Sequence, residues 1–332
     1  MKLETLDELI KRTMLRGPAP NLVGDGLIVP GGSVVVYGPA ELYKSFALQQ
    51  LCGSVVTGAP WLGYLVDPTH CCGVVYAQAE ITDWRMGKRA AALLQSYPSS
   101  AGVGSRFWHT RPEDLYLDLP LARTELLNVI EKSGAGLLAL DPIGLMLHGS
   151  ENTPEVVNAA VRTLKWVQAE TERRSGKPLT IVVSHHSNKG QWFGGQRIER
   201  ELVDASGHYA LMRWPDTVVR LGKVPELGLV ELKWEKVRHG EKPPPRWLRF
   251  NPALLVLEVA GQDPATVVLE LVAEGARQIE AVDEAVAGRC GISVRRAGKV
   301  RKQLVEQGVL EEWPDPQNKS RRLVGRRKEG GT

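Results

Sequence analysis

Apolar residues recur in this chain in short, nearly unbroken runs separated by stretches of mixed polarity. Val34-Val35-Val36-Tyr37, Gly73-Val74-Val75-Tyr76-Ala77, Leu137-Leu138-Ala139-Leu140 and Thr180-Ile181-Val182-Val183 are four of them. Short runs without polar alternation predict strands buried on both faces, as in a parallel sheet. Phe46 to Leu51 has helical spacing and good helix formers, and Asn152 to Arg174 reads as one long helix. Strands alternating with helices predict the α/β class with a mainly parallel sheet. Further on, residues 216–221 and 229–234 pattern as paired strands, and 246–260 as a closing hairpin. Ahead of all these, residues 3–16 pattern as an amphipathic helix with Leu3, Leu6, Leu9 and Ile10 on one side. That helix could pack on its own domain or on a neighbouring subunit.

The character changes at Asp263. Helices are predicted from Pro264 to Ala273, from Ile279 to Ala287, and onward from Ser293, a residue suited to an N-cap. The third carries Arg295, Arg296, Lys299, Arg301 and Lys302, with no acid before Glu306. Two strand-like segments, Val309 to Trp313 and Lys319 to Val324, then flank a Pro-Asp-Pro-Gln-Asn turn. Three helices and a basic hairpin predict a small α+β winged helix-turn-helix domain. Arg295, Arg296, Lys299, Lys302, Arg321 and Arg322 are its candidate duplex-DNA contacts. Winged helices also dock proteins, and the sequence leaves both uses open. The expected organisation is an N-terminal arm (1–19), an α/β domain (20–262), the winged helix (263–325) and a basic disordered tail (326–332).

A chain of 332 residues with 43% hydrophobic content suits one large domain and one small one. The net charge of +4 is too mild to identify a partner by itself. Cys52, Cys71, Cys72 and Cys290 form no C-x-x-C pair, which argues against zinc and against a disulfide framework. Met1-Lys2-Leu3-Glu4 starts no signal-peptide pattern, and no apolar run approaches the length of a membrane span. A soluble, cytoplasmic protein without a membrane partner is expected.

Candidate chemistry begins where the first strand ends. Gly38, Pro39, Ala40, Glu41, Leu42, Tyr43, Lys44, Ser45 and Phe46 form a tight loop that opens a helix with Lys-Ser. A helix N-terminus offers unpaired N–H groups and the positive end of a dipole, which suits a phosphate. In such a phosphate loop Lys44 reaches the β- and γ-phosphates of ATP and the Ser45 hydroxyl binds Mg²⁺. Tyr43 stands where glycine is usual, so the backbone there is expected to be helix-compatible, with the ring turned away. The plainer reading is a strand–turn–helix with a surface lysine. Glu80 lies just past the second strand, at the edge where open α/β sheets bind ligands. It could activate the attacking water or merely cap a helix. Asp141 ends the third run as the Mg²⁺-holding aspartate of a phosphate-loop enzyme would. At the end of the fourth run, His185 and His186 cannot both face one site, and His186 is the preferred γ-phosphate contact. The glycine-rich segment 189–207 adds Trp192, Phe193, Lys189 and Arg197. That composition fits a loop gripping single-stranded nucleic acid, and fits an ordinary surface loop equally well.

In order and spacing, these pieces resemble the RepA-type replicative helicases, RecA/DnaB-like ATPases of plasmids, phages and mobile elements. The resemblance rests on GPAELYKS, GAPWLG, VVYAQAE, LLALD, VVSHHSNKG, ASGHYALMRWPDTVVRL and WEKVRHG, and covers residues 20–260. It implies a RecA-like core in a homo-oligomeric ring, commonly a hexamer, with ATP at subunit interfaces and single-stranded DNA in the channel. It also implies that Glu80 activates water, that His186 senses the γ-phosphate, and that Lys236 and Arg238 enter the neighbour's site, with Arg238 as arginine finger. The winged helix lies outside the minimal plasmid helicase. Two functions are therefore expected to compete: an ATP-driven DNA motor, and a DNA-binding initiation or regulatory switch that does not unwind.

Overall fold

Runs that are apolar on both faces cannot meet water on either side, and in this structure, a computed structural model, they do not. It describes residues 4–15, 20–97, 103–113, 115–186, 192–193, 196–197, 210–224, 228–262, 264–273, 275–290 and 292–326. The first elements are α1 (Leu6–Leu15), β1 (Ser33–Gly38), α2 (Lys44–Thr57), β2 (Val74–Gln78), α3 (Asp83–Gln95), α4 (Val103–Arg106) and β3 (Phe107–Thr110). Then come α5 (Leu121–Ser133), β4 (Leu137–Asp141), α6 (Pro154–Ser175), β5 (Thr180–His186), β6 (Trp192–Phe193), β7 (Gln196–Arg197) and α7 (Ala210–Arg213). The strands β8 (Thr217–Val224), β9 (Leu229–Val237), β10 (Arg246–Asn251) and β11 (Val256–Val259) complete the main sheet.

That sheet runs β11-β10-β9-β8-β1-β5-β4-β2-β3. From β8 through β3 every pairing is parallel, and from β8 outward through β11 every pairing is antiparallel. Alternate strand residues feed two cores. Val34, Val36, Val74, Tyr76, Leu137 and Ala139 face the side of α2. Val35, Tyr37, Val75, Ala77, Leu138 and Leu140 face the other side, with buried residues of α5 and α6. Register sets the chemistry: Gly38 lies opposite His186 and Gln78 opposite Asp141, so those strand ends converge on one edge.

Thr5 and Glu8 cap α1 reciprocally, through bonds of 2.7 Å from Thr5 N to Glu8 Oε2 and 3.2 Å from Glu8 N to Thr5 Oγ1. Leu6, Leu9 and Ile10 on this helix are exposed. Among the described residues no helix is long and apolar enough to cross a membrane.

Beyond residue 263 the chain forms α8 (Pro264–Leu271), β12 (Arg277–Gln278), α9 (Ile279–Cys290), α10 (Val294–Glu306), β13 (Leu310–Asp315) and β14 (Asn318–Arg326). Ser293 caps α10, its side chain accepting from Arg296 N. The expected hairpin gains a third, short strand, in the order β12-β14-β13. These elements share one apolar cluster with Leu229 and Ala260, and Val224 and Trp247 pack on it. The unit is thus seated on the antiparallel flank of the main sheet. Arg301 is not a surface cation: it is buried, bonded to Asp283 at 2.8 and 2.9 Å and paired with Glu312.

Candidate nucleotide site

The loop after β1 turns through two left-handed residues that are not glycine, Glu41 (φ 61°) and Tyr43 (φ 56°). Tyr43 immediately precedes α2, so the expectation of a helix-compatible backbone fails: Tyr43 adopts the conformation glycine normally supplies. Such a residue costs roughly 1–2 kcal/mol. The offset comes from β10. The Tyr43 ring stacks on Phe250 at 4.3 Å and 15°, and Phe46 packs on Phe250 at 5.0 Å. Aromatic pairs contribute about 0.5–1.5 kcal/mol beyond their buried area, enough to balance the strain. Tyr43→Gly should therefore leave stability almost unchanged, whereas Tyr43→Ala, which keeps the strain and loses the stack, should cost about 0.5–1.5 kcal/mol. Urea unfolding of Tyr43→Ala, Phe250→Ala and the double variant checks this. Losses that simply add would mean the two rings do not act as a pair.

Lys44 is the first residue of α2 and is buried, with Nζ donating to the Pro39 carbonyl at 2.7 Å. Burial lowers its pKa from 10.5 to about 8, against the opposing pull of the Asp141 and Glu80 charges. Asp141 is also buried, and its carboxylate accepts from the hydroxyls of Tyr76 and Ser184. Tyr76 Oη in turn accepts from Gln49 Nε2 at 3.2 Å.

Glu80 follows β2 by two residues. The N-cap of α3 is Thr82, so Glu80 caps nothing. With its amide oriented to satisfy both neighbours, Gln78 accepts from Glu80 N at 2.6 Å and donates to the Ile81 carbonyl at 3.0 Å. His186 Nε2 lies 3.5 Å from Glu80 Oε1, and both side chains are about two-fifths exposed. His185 points elsewhere. It is buried, with Nδ1 3.8 Å from Glu151, and burial, with help from the His186 and Lys44 charges, lowers its pKa to about 4.

Lys44, Ser45, Glu80, Asp141, Ser184 and His186 line one cleft of about 330 Å³. Arg89 of α3 lines it too, its guanidinium 4.2 Å from the Phe46 ring centroid. One hydroxyl and one carboxylate suit a Mg²⁺ ion that takes its other ligands from phosphate and water. Among the described residues no group of three His, Cys, Asp or Glu could hold a metal on its own. A larger cavity of about 780 Å³ lies at the amino ends of the strands, but its Arg174 is engaged by Glu131 and Glu170 and it contains none of the loop residues.

Lys236 and Arg238 are not brought to this cleft. They sit at the opposite end of the sheet, where Val237 pairs with Thr217 and Asp216 meets Ser33. Lys236 Nζ donates to the carbonyls of Arg213 (2.9 Å) and Pro215, and burial, then the Arg238 charge, lowers its pKa. Arg238 Nη1 lies 2.6 Å from Asp216 Oδ1. On α10, Arg295, Lys299 and Lys302 are exposed. Arg296 is exposed as well, but its guanidinium packs against Gly228, at the start of β9. Arg321 is exposed, and Arg322 Nη2 lies 3.7 Å from Glu312. Lys189, most of its loop, the side chain of Arg197 and tail residues 327–332 lie outside the described residues.

Sequence reasoning missed Arg89, Phe250, Tyr76 and Ser184. Ser184 alone carried a signal, standing at the end of an apolar run beside the two histidines.

A family model described as an AAA domain matches residues 2–191, more than half of the chain, and the chain belongs to that family. No curated protein matches the sequence. Among solved structures, the crystal structure of the RadB recombinase superposes with a TM-score of 0.48 at 17% identity, over 70% of this chain and 92% of that one. A likeness of that size adds nothing to the family assignment. The chain is thus an AAA-domain ATPase with a mainly parallel α/β core.

Proposed function

We propose that this AAA-domain protein is an ATP-driven DNA motor, a replicative helicase or helicase-like ATPase of a plasmid, phage or mobile element. One observation carries the catalytic part: Lys44, Ser45, Glu80, Asp141 and His186, from four separate segments, line a single cleft at the carboxyl edge of the sheet. In this reading Lys44 neutralises the β- and γ-phosphates of ATP, and Ser45 and Asp141 hold Mg²⁺, which would shield the phosphate charge. Glu80 takes the proton of the attacking water, and His186, within reach of Glu80, registers the γ-phosphate. Lys236 and Arg238 serve the neighbouring subunit of a ring, commonly a hexamer. Residues 20–262 form the ATPase domain and 263–325 a winged helix, whose α10 would contact duplex DNA while the ring channel takes a single strand.

A second reading has its own support. Leu229 and Ala260 share a core with the C-terminal helices, so movements of the sheet would shift the DNA reader with them. That favours an ATP-regulated initiation or regulatory switch without unwinding.

One experiment separates the two. A motor hydrolyses ATP faster when single-stranded DNA is added. Glu80→Gln should then keep nucleotide binding but lose roughly 10²–10⁴ in turnover, because an amide cannot accept the proton. Negligible turnover in the parent, together with ATP-dependent binding to one duplex sequence, would establish the switch instead. Parent-like hydrolysis by Glu80→Gln would leave Glu80 a structural carboxylate.

A further inference from the structure

Helix α3 starts three residues after Glu80 and turns one face to the core through Met86 and Leu93. Its opposite face carries Trp84, 68% exposed, beside Arg85 and Lys88, both also exposed. A lone exposed aromatic is common on protein surfaces. Three further features set this one apart. Lys88 Nζ sits over the Trp84 ring, 4.1 Å from its centroid, which places a cation on one face of the aromatic. Position 87, one turn from Trp84, is glycine, among the poorest helix formers, and a Cβ built there meets nothing within 4 Å. A side chain there would lean back over the turn that carries Trp84, so glycine keeps that surface open. Asp83, next to Trp84 in the chain, has Arg111 Nε 4.0 Å from its carboxylate.

We propose that this face of α3 is a stacking site for single-stranded nucleic acid, with one base on Trp84 and neighbouring phosphates on Arg85 and Lys88. Flat aromatics flanked by cations recognise single strands because every base has a π-face and every linkage a charge. A strand seated here touches the segment that carries Glu80, a direct route by which DNA could alter hydrolysis. The identity of the partner rests on the DNA reading above, whereas the site lies outside every residue that reading uses.

The test is fluorescence anisotropy of a labelled oligothymidylate titrated with the full chain at several salt concentrations. Trp84→Ala should weaken binding roughly tenfold to a hundredfold, the usual worth of one stacked base, and Trp84→Phe should keep most of the affinity. Neutralising both Arg85 and Lys88 with Gln should flatten the log–log salt dependence by about 1.4, the share of two phosphate contacts on a single strand. Gly87→Leu should raise the melting temperature while lowering affinity, a divergence that a merely structural role cannot produce. Parent-like affinity in Trp84→Ala overturns the site. If Trp84→Ala instead lowers the particle mass and spares DNA binding, the face is an interface between copies of the chain, and the proposal falls. A parent protein that binds no single strand would refute the DNA reading itself, and the site with it.

Discussion

Lys44→Met is expected to abolish nucleotide binding while raising the melting temperature at neutral pH. The two effects share one cause. The Lys44 ammonium is buried at the positive end of α2, and it donates to the Pro39 carbonyl. Its pKa falls from 10.5 to about 8, with burial as the largest cause. Below pH 8 the folded protein holds a charge out of water, at a cost of about 3 kcal/mol relative to the unfolded chain. Between about 8 and 10.5 the unfolded chain binds more protons at this residue than the folded one. Stability from this group therefore rises with pH across that window, and the penalty is gone above it. Methionine keeps the apolar stem and drops the charge. The stability gap between variant and parent should accordingly be largest at neutral pH and close toward pH 10.5. In the proposed function a bound triphosphate would add counter-charge to that of Asp141 and Glu80 and so lower this cost. Among the described residues that line the cleft, Arg89 would remain to meet a phosphate, and it is held over Phe46. Affinity should fall at least about a hundredfold, as when one partner leaves a buried charge pair. Titration with a fluorescent ATP analogue and melts across the pH range check both halves. A variant less stable than the parent at neutral pH would mean that attraction to Asp141 and Glu80 outweighs the cost of burial.

The central strands were legible because burial on both faces leaves an unmistakable trace, an apolar run without alternation. Their ends were legible for the same reason: a polar residue closing such a run stands at the sheet edge, as Asp141 and His186 do. Edge elements leave no such trace. β3 is only partly buried, and its Trp108 is 38% exposed, so Phe107–Thr110 reads as no run at all. Missing β3 and α3 meant missing Arg89. Tyr43 failed for a different reason. Its left-handed backbone is held by Phe250, which lies far along the chain, and no local pattern reports such a partner. Arg301 is a subtler case. It looks like part of a basic DNA-facing run, yet it falls on the same helical stripe as Ala297, Val300 and Leu304, all buried. Read by helical period rather than by charge, it would have been placed inside, where Asp283 and Glu312 hold it.

Arg238→Ala should bind ATP nearly as the parent does, assemble normally, and hydrolyse about 10³–10⁵ times more slowly, the usual worth of an arginine finger. Own-site catalysis is excluded by register. Val237 pairs with Thr217, Thr217 with Val34, and the loop begins at Gly38, at the other end of β1. Four strand residues separate the two ends by about 13 Å, beyond the span of an arginine side chain. In the proposed ring the guanidinium would be available to a neighbour. It is about half exposed, and its partner Asp216 forms a surface pair worth at most about 1 kcal/mol, which an incoming γ-phosphate can replace at little cost. Its base is rigid: Gly26, at φ +70°, lies so close to the His239 carbonyl that a Cβ there would come within 2.2 Å of the oxygen. Asp216 also accepts from Ser33 N and Oγ at 3.0 and 2.9 Å, tying the finger segment to the start of the strand that ends in the loop. A cation placed for charge that develops in the transition state raises turnover more than ground-state affinity, hence the expected split between binding and rate. Mixing two inactive proteins, Arg238→Ala and Lys44→Met, is the sharper measurement. Some interfaces of a mixed ring join an intact loop to an intact finger, so hydrolysis should partly return. Full activity in the single variant would make Arg238 an ordinary surface charge. Loss without rescue on mixing would assign it a role within its own subunit, and the ring would lose its chief support.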